Sequence, residues 1–162
     1  MKKIVLAGGC FWGVEAYYKQ IPGVLDTTVG YIDGKKPYPS YEEVCSGSGH
    51  AEAVEIVYDD KEIPLEKLIE HLFNIIDPTL MNRQGPDIGV QYRSGIYNYD
   101  LHDEKVIEDF LNQQASNYTK PLRVQTLKFS TFFPAETYHQ DYLDKNKNGY
   151  CHVNLSSFKN VK

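Results

Sequence analysis

The chain has 162 residues, 41% hydrophobic and 24% charged, with a formal net charge of −5. A chain this long buries roughly 70% of its unfolded surface, enough for one self-sufficient core, and its composition excludes a disordered polymer. The acidic balance argues against a broad nucleic-acid footprint, three cysteines argue against a disulfide scaffold, and no apolar run approaches the ~18 residues of a membrane helix.

The first element carries Lys2 and Lys3, then Ile4, Val5, Leu6 and Ala7. This apolar run falls short of the ~7–15 residues of a secretory signal, so a reducing cytoplasm is the expected location. It suits a short strand buried on both faces, ended by Gly8 and Gly9. Phe11, Val14, Tyr17 and Tyr18 recur at helical spacing and predict a helix over 11–20, closed by Pro22 and Gly23. A strand is expected over 24–32, a Pro-containing loop over 35–40 and one helical turn over 41–45. Ser46, Gly47, Ser48 and Gly49 form a flexible break, and the alternation over 51–58 reads as a strand. Pro64, then Leu65, Leu68, Ile69, Leu72, Phe73 and Ile76, make the clearest amphipathic helix, stopped by Pro78. Residues 79–92 show no periodicity, and an ordered loop of that length usually serves a site. A strand over 94–99, a helix over 101–118, a strand over 122–129 and a short helix over 135–143 follow. After Leu143 the chain turns polar, and this tail, about 144–162, is expected to be mobile. No repeat or linker interrupts the pattern, so the chain reads as a single domain of α/β (α+β) class.

Cys10 follows a strand and two glycines and opens a helix, where unpaired backbone N–H groups and the helix dipole lower a thiol pKa. Position alone leaves two readings, a reactive thiolate or a small buried hydrophobe. Cys45, beside Val44, reads as structural. Cys151, in the polar tail, is either an incidental thiol, half of a permanent bridge to Cys10, or a thiol that resolves an oxidised Cys10. Glu52 shares a strand face with Val54 and Ile56; a carboxyl there either has a raised pKa or reaches solvent at the strand end. Tyr41 and Tyr92 flank loops, and in a chain with 13 Tyr each could be plain packing. Asp87 could be a turn former. Phe11 and Trp12 are core residues or an aromatic pocket beside the nucleophile.

Together these residues carry a resemblance. Gly9-Cys10-Phe11-Trp12-Gly13 with Glu15 resembles the signature of the A-class peptide-methionine sulfoxide reductase family. The likeness continues through Tyr41–Gly47, Gly49-His50-Ala51-Glu52, Arg83-Gln84-Gly85, Asp87–Ser94, Ala135-Glu136, Tyr138-His139-Gln140 and Gly149-Tyr150-Cys151. It implies an α/β roll with a two-layer sandwich core and a mixed sheet. It implies reduction of methionine S-sulfoxide, free or in oxidised proteins. Cys10 would be the nucleophile, Glu52 the acid, and Tyr41 and Tyr92 donors to the sulfoxide oxygen. Phe11 and Trp12 would hold the substrate methyl, with Asp87 also binding substrate. Cys151 would resolve the Cys10 sulfenic acid, and thioredoxin would reduce the disulfide. A monomer without metal or bound cofactor is expected. The chain departs from the family's usual pattern in a shorter Gly47–His50 loop, in Pro86 where Asn is frequent, and in one tail cysteine, which implies a single-disulfide relay. Two other classes compete. A zinc module would draw on Cys10, Cys45, Cys151 and either His50 or His152, but no CxxC or HxxxH pair exists. A cysteine hydrolase would need a histidine beside Cys10.

Overall fold

A computed structural model describes residues 1–161. Its centre is β1 (Lys2–Gly8), which pairs antiparallel with β3 (Ala51–Tyr58) on one side and β6 (Ser94–Asn98) on the other. Ile4 and Leu6 face the larger hydrophobic cluster, and Val5 and Ala7 a smaller one on the opposite face. Burial on both faces explains why this strand reads as an unbroken apolar run. β2 (Val24–Ile32) pairs with β3 and with the edge strand β8 (Phe132–Pro134). On the far side β7 (Gln125–Lys128) lies parallel to β6, a geometry that needs a long crossover, supplied by α4 (His102–Ala115). The six strands run β7-β6-β1-β3-β2-β8, a mixed sheet. α1 (Phe11–Tyr18) and α3 (Leu65–Ile75) supply Phe11, Val14, Tyr17, Leu68 and Leu72 to the larger cluster. The expected mixed α/β class is what the chain adopts.

The β1–β3 register places the chemistry. Leu6 stands opposite Val54, and each step along β1 is one step back along β3. Glu52 therefore comes level with Gly8, two residues before Cys10. α2 (Tyr41–Cys45) forms where one helical turn was expected, with a capping box between Ser40 and Glu43.

Several expectations change at the edges. The stretch over 79–92 contains a small hairpin, β4 (Arg83–Gln84) with β5 (Asp87–Ile88), and a 3-10 turn at Val90–Tyr92. The strand expected over 122–129 contracts to β7. β8 was not anticipated: it is three residues long and ends in Pro134, the composition of a sheet edge. The helix expected over 135–143 is a 3-10 turn, Thr137–His139, and α5 (Tyr142–Lys145), split where Asp141 takes φ 54°. The tail expected to be mobile is docked: Val153 is buried, Leu155 and Phe158 pack on the larger cluster, and His152 Nε2 meets the Gly8 carbonyl at 2.9 Å.

Candidate active site

Cys10 is the N-cap of α1, with φ −58° and ψ 123°. Gly9, at φ +90°, makes the turn from β1 that an L side chain would resist. The backbone amides of Trp12 and Gly13 at the start of α1 pull the Cys10 pKa down, as the sequence suggested. They do not prevail. Burial, then the neighbouring Glu52, hold the thiol well above its ordinary range, with Asp87 adding to the effect. The expected lowering of the Cys10 pKa is therefore corrected: desolvation at 7% exposure outweighs the helix start.

Glu52 is 1% exposed. One carboxyl oxygen accepts from the Phe11 N–H at 3.2 Å, and the other is buried with no hydrogen-bond partner among the described residues. Burial pushes its pKa up to about 8; the Phe11 hydrogen bond pulls it down and Asp87 pushes it up. Of the two readings open at the sequence level, the buried neutral acid is the one present.

The two candidate phenols belong to the same cluster. Burial and then Glu52 raise the pKa of both Tyr41 and Tyr92, so each remains an O–H donor. Glu136 fixes Tyr41 by accepting its N–H at 2.9 Å while accepting the Tyr31 hydroxyl at 2.8 Å. Asp87 stands opposite Gln84 in the β4–β5 hairpin, anchored by Gln84 bonds to Asp77 and Ser94. The turn tolerates Pro86, and Asp87 accepts the Tyr150 hydroxyl at 2.8 Å.

Phe11 is fully buried and Trp12 half-buried, so Trp12 offers more open ring surface. Trp12 stacks on Tyr142 at 3.8 Å between centroids and donates its indole N–H to His139 Nδ1 at 2.9 Å. Burial lowers the His139 pKa, which suits a neutral ring accepting that bond. The Cys151 sulfur lies 3.1 Å from where a Cβ on Gly13 would stand, on the first turn of the helix that Cys10 caps.

All eight residues singled out from sequence thus lie in or against one cluster. Sequence reasoning gave no role to Glu136, His139, Tyr142 or Tyr150. Tyr138-His139-Gln140 and Tyr150 stood inside the quoted motifs, but only the folded chain shows their partners. Cys45, read as structural, is exposed at the end of α2. Among the described residues no three His, Cys, Asp or Glu side chains gather as a metal site, and no hydrogen bond joins Cys10 to an imidazole. No described helix is long and apolar enough to cross a membrane.

A buried thiol beside a neutral carboxyl and phenol donors defines a site for thiol-based oxygen transfer. The chain belongs to the peptide methionine sulfoxide reductase family, whose profile matches residues 2–162. It is similar to MsrA of Mycoplasma genitalium, at 54% identity over 154 residues, covering 94% of this chain and 98% of that protein. Among solved structures it is similar to reduced Mxr1 from Saccharomyces cerevisiae (TM-score 0.88, 37% identity, covering 95% and 90%). It is also similar to methionine sulfoxide reductase A of Corynebacterium diphtheriae (TM-score 0.83, 34% identity, covering 93% and 77%). Mxr1 has also been captured in complex with Trx2, in a structure that shares the fold at 24% identity and TM-score 0.62. The chain is accordingly an oxidoreductase that reduces methionine sulfoxide.

Proposed function

We propose that Cys10 attacks the sulfur of methionine S-sulfoxide while Glu52 protonates the departing oxygen. A sulfoxide oxygen leaves poorly as an oxide, so protonation must accompany attack. The observation that carries this reading is the buried, unpartnered oxygen of an acid whose pKa is pushed up to about 8, bonded to the residue after Cys10. The Cys10 proton passes to the carboxylate left on Glu52. The protonated oxygen then passes to the Cys10 sulfur as the bond between that sulfur and the substrate sulfur breaks, which leaves a Cys10 sulfenic acid and methionine. Tyr41 and Tyr92 donate to the oxygen as an oxyanion hole does. Trp12 with Phe11 holds the methyl, and Asp87, kept in place by Tyr150, binds the substrate's polar part.

Cys151 then attacks the Cys10 sulfenic sulfur, forming a disulfide and water. Thioredoxin reduces that disulfide. This step is supported by the docking of Cys151 on the first turn of α1 and by the complex that Mxr1 forms with Trx2. The unit that acts is the whole chain, one catalytic domain with a resolving segment at about 144–162, working as a monomer in the reducing cytoplasm. Three free thiols suit that compartment.

The test is turnover of methionine S-sulfoxide by wild type, Cys10→Ser and Cys151→Ser. Cys10→Ser is expected to form no methionine. Cys151→Ser is expected to release about one methionine per enzyme and then stall with thioredoxin. Equal activity in wild type and Cys10→Ser would end the nucleophile assignment, and sustained thioredoxin-driven turnover by Cys151→Ser would end the resolving one.

A further inference from the structure

We infer that His152 is the base for the second half of the reaction: it takes the Cys151 thiol proton as Cys151 attacks the oxidised Cys10. The inference rests on the reading that a Cys10–Cys151 disulfide forms, and adds a residue to it.

The tautomer follows from the contacts. His152 Nε2 lies 2.9 Å from the Gly8 carbonyl oxygen, which only accepts, so Nε2 carries a hydrogen. In the neutral ring Nδ1 is then a bare lone pair. That nitrogen is buried and has no hydrogen-bond partner among the described residues. Leaving a buried acceptor unbonded is destabilising, and such exceptions call for an explanation.

Its position supplies one. A Cβ on Gly13 would stand 3.3 Å from His152 Nδ1 and 3.1 Å from the Cys151 sulfur. The bare nitrogen and the resolving sulfur therefore both border the space that a Gly13 side chain would fill, on the first turn of the helix capped by Cys10. Nε2 lies 2.8 Å from the Cβ position of Gly9, so the ring lies against the glycines on both sides of Cys10. In the resting arrangement the Cys151 S–H donates to the Val153 carbonyl at 3.3 Å. Attack needs that proton removed, and the imidazole is the acceptor at hand.

The step balances. The Cys151 proton moves to Nδ1, and the thiolate forms the S–S bond to Cys10. The Cys10 S–O bond breaks, and the oxygen leaves as water with the proton lent to His152. Cys151 is oxidised as the Cys10 sulfenic acid is reduced. The Nε2–H bond to Gly8 meanwhile holds the tail against the end of β1.

The experiment follows disulfide formation from preformed Cys10 sulfenic acid, by quenched-flow thiol counting, so that the first step does not enter. His152→Ala is expected to slow it on the order of 10²-fold, as loss of a general base does, and added imidazole is expected to restore much of the rate. His152→Gln keeps a donor for the Gly8 carbonyl but cannot take a proton, so it is expected to stay slow. A wild-type rate in His152→Gln would reduce His152 to a docking contact and overturn the inference, as would failure of imidazole to rescue His152→Ala. Cys151→Ser serves as the reference. If it still forms an intramolecular disulfide, the resolving role of Cys151 fails; if it does not, while His152→Gln is normal, only the inference about His152 fails.

Discussion

The most direct check on the site is Glu52→Gln, which keeps the shape and removes the titration. In the folded chain the carboxyl pKa rises from 4.5 to about 8; at 1.36 kcal/mol per unit, ionising it in place costs on the order of 5 kcal/mol. The sign is fixed by linkage. The folded state holds a proton that the unfolded state has lost, so this contribution to stability is full below pH 4.5 and disappears as pH rises to about 8. Glutamine has no such slope. Urea unfolding at pH 5, 7 and 9 should show the variant gaining on wild type across that window, by up to the order of 5 kcal/mol. In single-turnover methionine release, wild type should lose rate above pH 8 by about tenfold per unit as the acid form is depleted. The Gln amide still donates a hydrogen bond, so that variant should keep part of the rate with no inflection, and Glu52→Ala should do worse. A stability difference that stays flat from pH 5 to 9 would show that the carboxyl is not desolvated. A wild-type profile unchanged above pH 8, or Glu52→Ala at full rate, would show that it is not the acid.

Tyr92→Phe removes one donor aimed at the oxygen and should lower methionine release by on the order of 10²–10³; a change under threefold in single-turnover kinetics would discount it. His139→Ala leaves the Trp12 indole N–H without its acceptor. It should raise KM more than it lowers kcat, and an unaltered KM would mean that Tyr142 stacking alone orients Trp12. Gly13→Ala favours the helix by about 1 kcal/mol but sets a methyl 3.1 Å from the Cys151 sulfur. It should slow disulfide formation more than methionine release, and equal slowing of both in rapid-quench assays would contradict the docking of Cys151 on α1.

Much of the site was legible because its signals are local. Cys10 after Gly8 and Gly9, at the head of a helical pattern, is read from a dozen residues, and α1 begins at Phe11 as that pattern requires. β2, α2 and β3 fall on their expected bounds, and the alternation along β3 needs no partner to be recognised. The placement of Glu52 on the face of Val54 and Ile56 likewise followed from the two-residue period of a strand. What could not be read is what depends on distant chain. β8 exists because β2 presents an open edge, and the two residues of β4 are held in their hairpin by Gln84 bonds to Asp77 and Ser94.

The thiol shows the division most plainly. Sequence placed Cys10 at a helix start, where backbone dipoles favour its charge, and that is a property of adjacent residues. Its protonated state was decided by tertiary structure, because desolvation sums over every atom packed around the sulfur, and Glu52 arrives from a strand more than forty residues away. The tail obeys the same rule: its polar composition alone predicts a free end, whereas the bond from His152 to Gly8 and the burial of Val153 arise only once α1 and β1 are in place to receive them.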